Sequence, residues 1–182
     1  MSKLIILDRD GVINQDSDSY IKTVEEWQPI PGSIEAIAKL SQAGYTIAVA
    51  TNQSGIARGL FSEKTLLAMH DKLLSMVNDA KGKIECIVYC PHGPNDACDC
   101  RKPQIGLIKK IESTLKTSAI NAWLVGDSLR DIEAAQKAGC KPILVKSGKG
   151  LRTLKATPAI KAEIYDDLAD FAKALLSQDH IA

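Results

Sequence analysis

The sequence has no excess of charge of either sign. Its 23 Lys and Arg face 22 Asp and Glu, a net charge of +1 over 182 residues. Binding nucleic acid through its phosphates needs clustered Lys and Arg, and no such cluster is present. Long hydrophobic runs are missing too. The apolar stretch Leu4–Leu7 is far too short for a membrane span or the core of a signal peptide. The expectation is a cytoplasmic protein with no membrane partner. Internal repeats and low-complexity linkers are lacking, which points to a single domain over 1–182 and to a monomer. Apolar residues make up 45% and charged residues 25% of the chain, a globular balance.

What is present is an alternation. Short apolar runs predict strands at 3–7, 46–50, 84–89, 122–125 and 141–145. Between them lie stretches of helical spacing at 33–42, 63–80 and 105–115, another ending at 138, and a last at 167–176. Ser62 can cap the second helix, with Leu66, Leu67, Leu73, Leu74 and Val77 as its apolar stripe. Gly44 and Gly139 read as helix stops. Residues 147–158 read as a basic loop, and a short apolar run lies near Ile164. Strand, loop and helix repeated in this way give an α/β fold: a doubly wound, Rossmann-like parallel sheet in three layers. Each interval is filled by one helix and its loops, so no cap domain fits. Residues 11–33 have room only for a small flap.

Polar residues follow these strands: Asp8 and Asp10 after the first, Thr51 and Asn52 after the second, Asp127 and Asp131 after the fourth. Parallel strands bring all these ends to one edge, where ligands bind in open α/β sheets. Paired carboxylates there suit Mg2+, a hard ion that takes one or two carboxylates together with phosphate oxygens. Two unit charges about 4 Å apart repel by about 4 kcal/mol at an effective dielectric near 20. A carboxylate approaching a phosphate dianion faces roughly twice that. A cation must cancel it before attack is possible.

The third strand leads into a different chemistry. The loop 89–103 packs Cys90, His92, Cys98 and Cys100 into eleven residues. Three thiolates and an imidazole complete a tetrahedral Zn2+ site with no position left for water, which is the structural kind. Arg101 and Lys102 follow at once and are placed to meet an anion. Cys86 and Cys140 read as small hydrophobes; His70, Trp27 and Trp123 read as packing residues.

Taken together, Asp8-Arg9-Asp10-Gly11, Thr51-Asn52-Gln53, Lys102, and Gly126-Asp127 with Asp131 resemble the four motifs of the haloacid dehalogenase-like phosphatases. The Cys-Asp-Cys-Arg-Lys-Pro run resembles their capless, zinc-loop branch, which holds heptose bisphosphate and histidinol phosphate phosphatases. The run Thr51–Gly59 is similar to the heptose group. The resemblance implies Asp8 as nucleophile, forming an aspartyl-phosphate, and Asp10 as general acid and base. It implies Mg2+ on the Asp8 carboxylate, the Asp10 carbonyl and Asp127. Thr51 and Lys102 would hold the phosphoryl group and Asp131 would orient the site. Asp16, Tyr20, Asn52, Gln53, Ser54 and Arg101 would meet a small-molecule sugar bisphosphate.

Overall fold

The computed structural model describes residues 3–179. Six parallel strands form one sheet in the order β3-β2-β1-β4-β5-β6. They are β1 (Leu4–Leu7), β2 (Thr46–Asn52), β3 (Cys86–Cys90), β4 (Trp123–Gly126), β5 (Lys141–Val145) and β6 (Glu163–Tyr165). The chain starts in the middle, winds out to β3, then returns to β4 and winds the other way. That reversal opens a crevice beyond the carboxyl ends of β1 and β4, the usual place for a ligand in such sheets.

Alternate residues of each strand feed two separate cores, which is why the apolar runs are continuous. Ile5 and Leu7 join Ile47, Val49, Val125 and Ile143 in the first core. It packs under α1 (Ser33–Gln42), α2 (Glu63–Asp79) and α6 (Leu168–Asp179). Leu4 and Ile6 join Ala48, Ala50, Val88 and Leu124 in the second, under α3 (Gly106–Leu115) and α4 (Leu129–Lys137). The result is the expected three layers. Trp27 and Cys140 are buried, and the Cys140 thiol donates to the Ala119 carbonyl at 3.2 Å. Trp123 packs edge-on against Tyr45. His180 lies outside the described residues.

Some expected elements are corrected. The 147–158 loop contains a helix, α5 (Gly150–Ala156). Its placement depends on distant partners: Thr153 Oγ1 donates to the Asp127 carbonyl at 2.8 Å. Any Cβ at Gly150 would meet the Val145 carbonyl at 1.8 Å. Around Ile164 the chain forms β6 through pairing with β5, and Ile164 itself is exposed. On α2, Leu67 and Leu74 face solvent. The buried face is Leu66, Met69, His70, Leu73 and Val77. Ser62 does cap this helix, accepting from the Thr65 amide. β2 runs two residues further than expected, so Thr51 and Asn52 lie within the strand. No described helix is long and apolar enough to cross a membrane.

Candidate active site

The site grows from the end of β1. Asp8 follows Leu7, and its amide still donates to the Val125 carbonyl at 2.9 Å, so its carboxylate projects from the crevice between β1 and β4. Lys102 reaches it from the loop after β3. The Lys102 ammonium has three protons and three acceptors: Asp8 Oδ1 at 3.0 Å, Asp131 Oδ1 at 2.7 Å and the Ala50 carbonyl at 2.7 Å. The side chain is 2% exposed. Burial disfavours its charge, but Asp131 and Asp8 outweigh burial and raise its pKa. Asn52 holds the Lys102 backbone at both ends. Its Nδ2 donates to the Lys102 carbonyl at 3.1 Å, and its Oδ1 accepts from the Lys102 amide at 3.0 Å. This ties the Asn52 amide group to Lys102, while Asn52 still lines the pocket.

Asp127 follows β4. One carboxylate oxygen of Asp8, Asp127 and Asp131 lies within 4.8 Å of the others. Three carboxylates against one ammonium leave two negative charges uncancelled. Burial, together with Asp131 and Asp10, pushes Asp8 up to about 7 against the pull of Lys102. Burial and the charges of Asp8 and Asp131 push Asp127 up to about 8. A divalent cation would supply the missing charge, and hard carboxylate oxygens suit Mg2+. The backbone is shaped to the cluster. Gly11 has φ +85°, and a Cβ there would meet Asp127 Oδ2 at 2.0 Å; at Gly126 it would meet the Asp131 side chain at 2.2 Å.

Asp131 serves two purposes at once. Its Oδ2 caps α4 by accepting from the Ser128 amide at 3.1 Å and the Ser128 hydroxyl at 2.7 Å, while Oδ1 holds Lys102.

The Asp10 carboxylate turns away from that cluster. Arg9, with no exposure at all, donates Nε and Nη2 to Asp10 Oδ1 at 3.0 and 2.8 Å. Asn14 Nδ2 adds a third bond to Oδ1 at 2.9 Å, and Gln53 Nε2 donates to Oδ2 at 3.0 Å. Burial raises the Asp10 pKa, but Arg9, Asn14 and Gln53 outweigh it and hold the group below the usual carboxylate range. Gln53 also donates to Thr51 Oγ1 at 2.9 Å, so both are tied into this network. Behind Arg9 stands His70, its Nε2 3.4 Å from Nη1. Burial and Arg9 bring His70 down to about 4.

A pocket of about 250 Å³ opens above these groups. Asp8, Asp10, Thr51, Asn52, Gln53 and Lys102 line it, as do Asp16, Tyr20, Ser54 and Arg101. Three further cations also reach it: Arg58, Arg130 and Lys149. Burial and the nearby charge of Arg130 lower the Arg101 pKa, so the two guanidinium groups repel. Neither Arg58, Arg101 nor Arg130 makes an ion pair with a described residue. Arg130 sits one residue before Asp131, and only the α4 turn brings it to the pocket.

The Cys/His cluster closes the far side of the same loop. Cys90, His92, Cys98 and Cys100 each offer a ligand atom within 4.8 Å of the others. Cys90 Sγ lies 3.8 Å from Cys98 Sγ and 3.5 Å from His92 Nδ1. The first separation suits two sulfurs about 2.3 Å from one tetrahedral zinc. Cys100 Sγ stands nearer, 2.7 Å from Cys90 Sγ, than two such ligands do. Cys98 is brought down to about 7: burial raises it, but hydrogen bonds from the Arg101 backbone, Cys100 and Cys90 outweigh burial. Cys90 and Cys100 are pushed up, mainly by burial. The donor set is a soft one that suits zinc.

Known proteins share much of this sequence and its fold. A HAD-hydrolase-like family model matches residues 99–171. The D-glycero-beta-D-manno-heptose-1,7-bisphosphate 7-phosphatase of Pseudomonas aeruginosa is 57% identical, covering 95% of this chain and 97% of its own. The chain belongs to the haloacid dehalogenase-like hydrolases, in the family of these heptose bisphosphate phosphatases. The Neisseria meningitidis member is 49% identical over 97% of this chain and 96% of its own. The D,D-heptose 1,7-bisphosphate phosphatase of Bordetella bronchiseptica, solved with magnesium and phosphate, superposes with a TM-score of 0.93. It is 47% identical and covers 98% of this chain and 99% of its own.

Proposed function

We propose that the protein is a Mg2+-dependent phosphatase that removes the 7-phosphate of D-glycero-D-manno-heptose 1,7-bisphosphate through an aspartyl-phosphate. The observation that carries this is the convergence of Asp8, Asp127, Asp131 and Lys102 in the β1/β4 crevice. The relatives support the substrate, and their names favour its β-anomer.

Asp8 is the nucleophile, attacking phosphorus and releasing the sugar alkoxide. The Asp8 and Asp127 carboxylates and the Asp10 carbonyl would hold Mg2+, which would supply the positive charge that keeps Asp8 ionised in front of an incoming phosphate. Lys102 cancels charge on Asp8 and Asp131, then shares a proton with the phosphoryl oxygens as charge redistributes. Thr51 Oγ1 accepts from Gln53, which leaves its own proton for the same oxygens.

Asp10 starts as a carboxylate, the form that takes a proton from the water attacking the aspartyl-phosphate. Acting first as the acid requires that substrate binding loosen the Arg9 pair or bring the proton. Cys90, His92, Cys98 and Cys100 would hold Zn2+, which would fix the loop from which Arg101 and Lys102 project. At the pocket mouth Arg101 and Arg130 lack anions, and the substrate's other phosphate meets that need.

The reading is tested by Mg2+-dependent phosphate release from both anomers of the bisphosphate, beside histidinol phosphate. The β-anomer is expected to give the highest kcat/KM. Preference for histidinol phosphate would overturn the substrate assignment.

A further inference from the structure

The sequence reads His70 as a packing residue, and it does lie on the buried face of α2. Its ring does more than fill space. Nε2 stands 3.4 Å from Arg9 Nη1. A guanidinium can only donate, so Nε2 is the acceptor and the imidazole is neutral, with its proton on Nδ1. The lowered His70 pKa agrees, with burial its first cause and the Arg9 charge its second. The Tyr89 ring of β3 lies 6.0 Å from the imidazole, tilted by 57°. The Tyr89 hydroxyl in turn donates to Glu63 in the first turn of α2. Arg9 carries this order to Asp10. Its Nη1 meets His70 and, at 3.8 Å, the Met69 sulfur. Its Nε and Nη2 meet Asp10 Oδ1. With Asn14 that oxygen takes three donors, whereas Oδ2 takes one, from Gln53. Neither Arg9 nor His70 lines the pocket, so His70 reaches the chemistry only through Arg9 and Asp10.

We propose that His70 is a positioning residue for proton transfer: it fixes the Arg9 guanidinium so that Asp10 Oδ1 is clamped and Oδ2 is the oxygen that gives and takes the proton. This rests on the phosphatase reading above and deepens it. A carboxylate offers about four lone-pair sites, two on each oxygen. Three donors fill Oδ1, and Oδ2 keeps a site for a proton. As Asp8 forms its bond to phosphorus and the bond to the sugar oxygen breaks, the proton on Oδ2 passes to that oxygen. As a water oxygen then attacks phosphorus and the Asp8 bond breaks, Oδ2 takes a proton from that water. Remove the His70 acceptor, and Arg9 Nη1 holds a proton with no strong partner in a buried place. The guanidinium then turns toward another acceptor, Oδ1 loses its clamp, and Oδ2 loses its aim at the reacting oxygens.

His70→Leu and His70→Gln are compared with the parent in steady state with Mg2+. The Gln amide oxygen still accepts from Arg9, and Leu offers no acceptor. The substrates are heptose 1,7-bisphosphate, whose alkoxide needs a proton to leave, and 4-nitrophenyl phosphate, whose leaving group departs as an anion. For both, kcat/KM covers the steps up to departure of the leaving group. His70→Leu is expected to lower kcat/KM for the bisphosphate about tenfold and to hold that for 4-nitrophenyl phosphate within about twofold. His70→Gln is expected to stay within about threefold of the parent on the bisphosphate. Equal losses on the two substrates in His70→Leu overturn the proposal, because loosened packing slows both alike. A Gln variant as slow as the Leu variant overturns it too, as does a Leu variant with the parent's kcat/KM on the bisphosphate. His70→Phe, also without an acceptor, takes the place of His70→Leu if that variant does not fold. A parent enzyme that fails to hydrolyse the bisphosphate removes the substrate reading itself, a result seen before any variant is made.

Discussion

Asp8 faces Asp127 and Asp131 across the crevice, with one ammonium shared among them, and is pushed up to about 7 chiefly by burial. Asp10, two residues on, takes two bonds from a fully buried guanidinium, one from Asn14 and one from Gln53, and is held low. The same side chain is thus under-neutralised at one position and over-neutralised at the next. Environments that push paired acids apart mark a division of roles. In the proposed mechanism Asp8 waits for a cation to become the nucleophile, and Asp10 already has the charge a base needs.

The largest expected effect comes from removing the first acid. Asp8→Asn lowers kcat/KM by at least about 10⁴-fold, yet the metal-free protein melts no lower, since a charge is taken from a crowded site. Asp10→Asn tests the other half. It lowers turnover by about 10²- to 10³-fold. Leaving Arg9 buried without its carboxylate also destabilises the fold by about 3 kcal/mol, read by thermal or denaturant unfolding. Equal melting temperatures for the two variants would erase the contrast.

Lys102 distinguishes the two acids, because it touches Asp8 and not Asp10. Lys102→Gln is expected to lower kcat about 10²-fold. Loosening its loop does less. Stripping zinc, or Cys98→Ser, lowers kcat/KM about tenfold, checked by assay beside metal analysis. An unchanged rate in verified zinc-free protein would show that the clip does not position Lys102.

The smallest effect is a pH dependence, and its sign follows from the raised acids. In metal-free protein Asp8 and Asp127 hold protons up to about 7 and about 8 that the unfolded chain releases near 3.8. Stability therefore falls as pH rises through that window. Mg2+ competes with those protons. Its thermal stabilisation should grow from pH 6 to pH 8, and a shift that shrinks instead would contradict the charge count.

Much of this was legible in the sequence because it is local. The acids after β1 and β4 and the cysteine-histidine spacing sit within short stretches, and continuous apolar runs announce buried parallel strands. What escaped depends on residues far apart in sequence. Arg9 reads as one more charge until the fold seals it against Asp10 and His70. Arg130 looks like a solvated cation until α4 turns it into the pocket. Asp131 fits a helix start, which is correct, but the same carboxylate also holds Lys102. Leu67 and Leu74 fit a helical stripe by spacing, whereas packing buries Met69 instead.

The most direct test of the charge-cancelled nucleophile is to quench the enzyme in acid during turnover of the bisphosphate with Mg2+ and map the phosphoryl group by mass spectrometry. The account predicts an adduct on Asp8 that is lost in Asp8→Asn. An adduct on another residue, or an Asp8→Asn protein that still turns over at the parent rate, would contradict it.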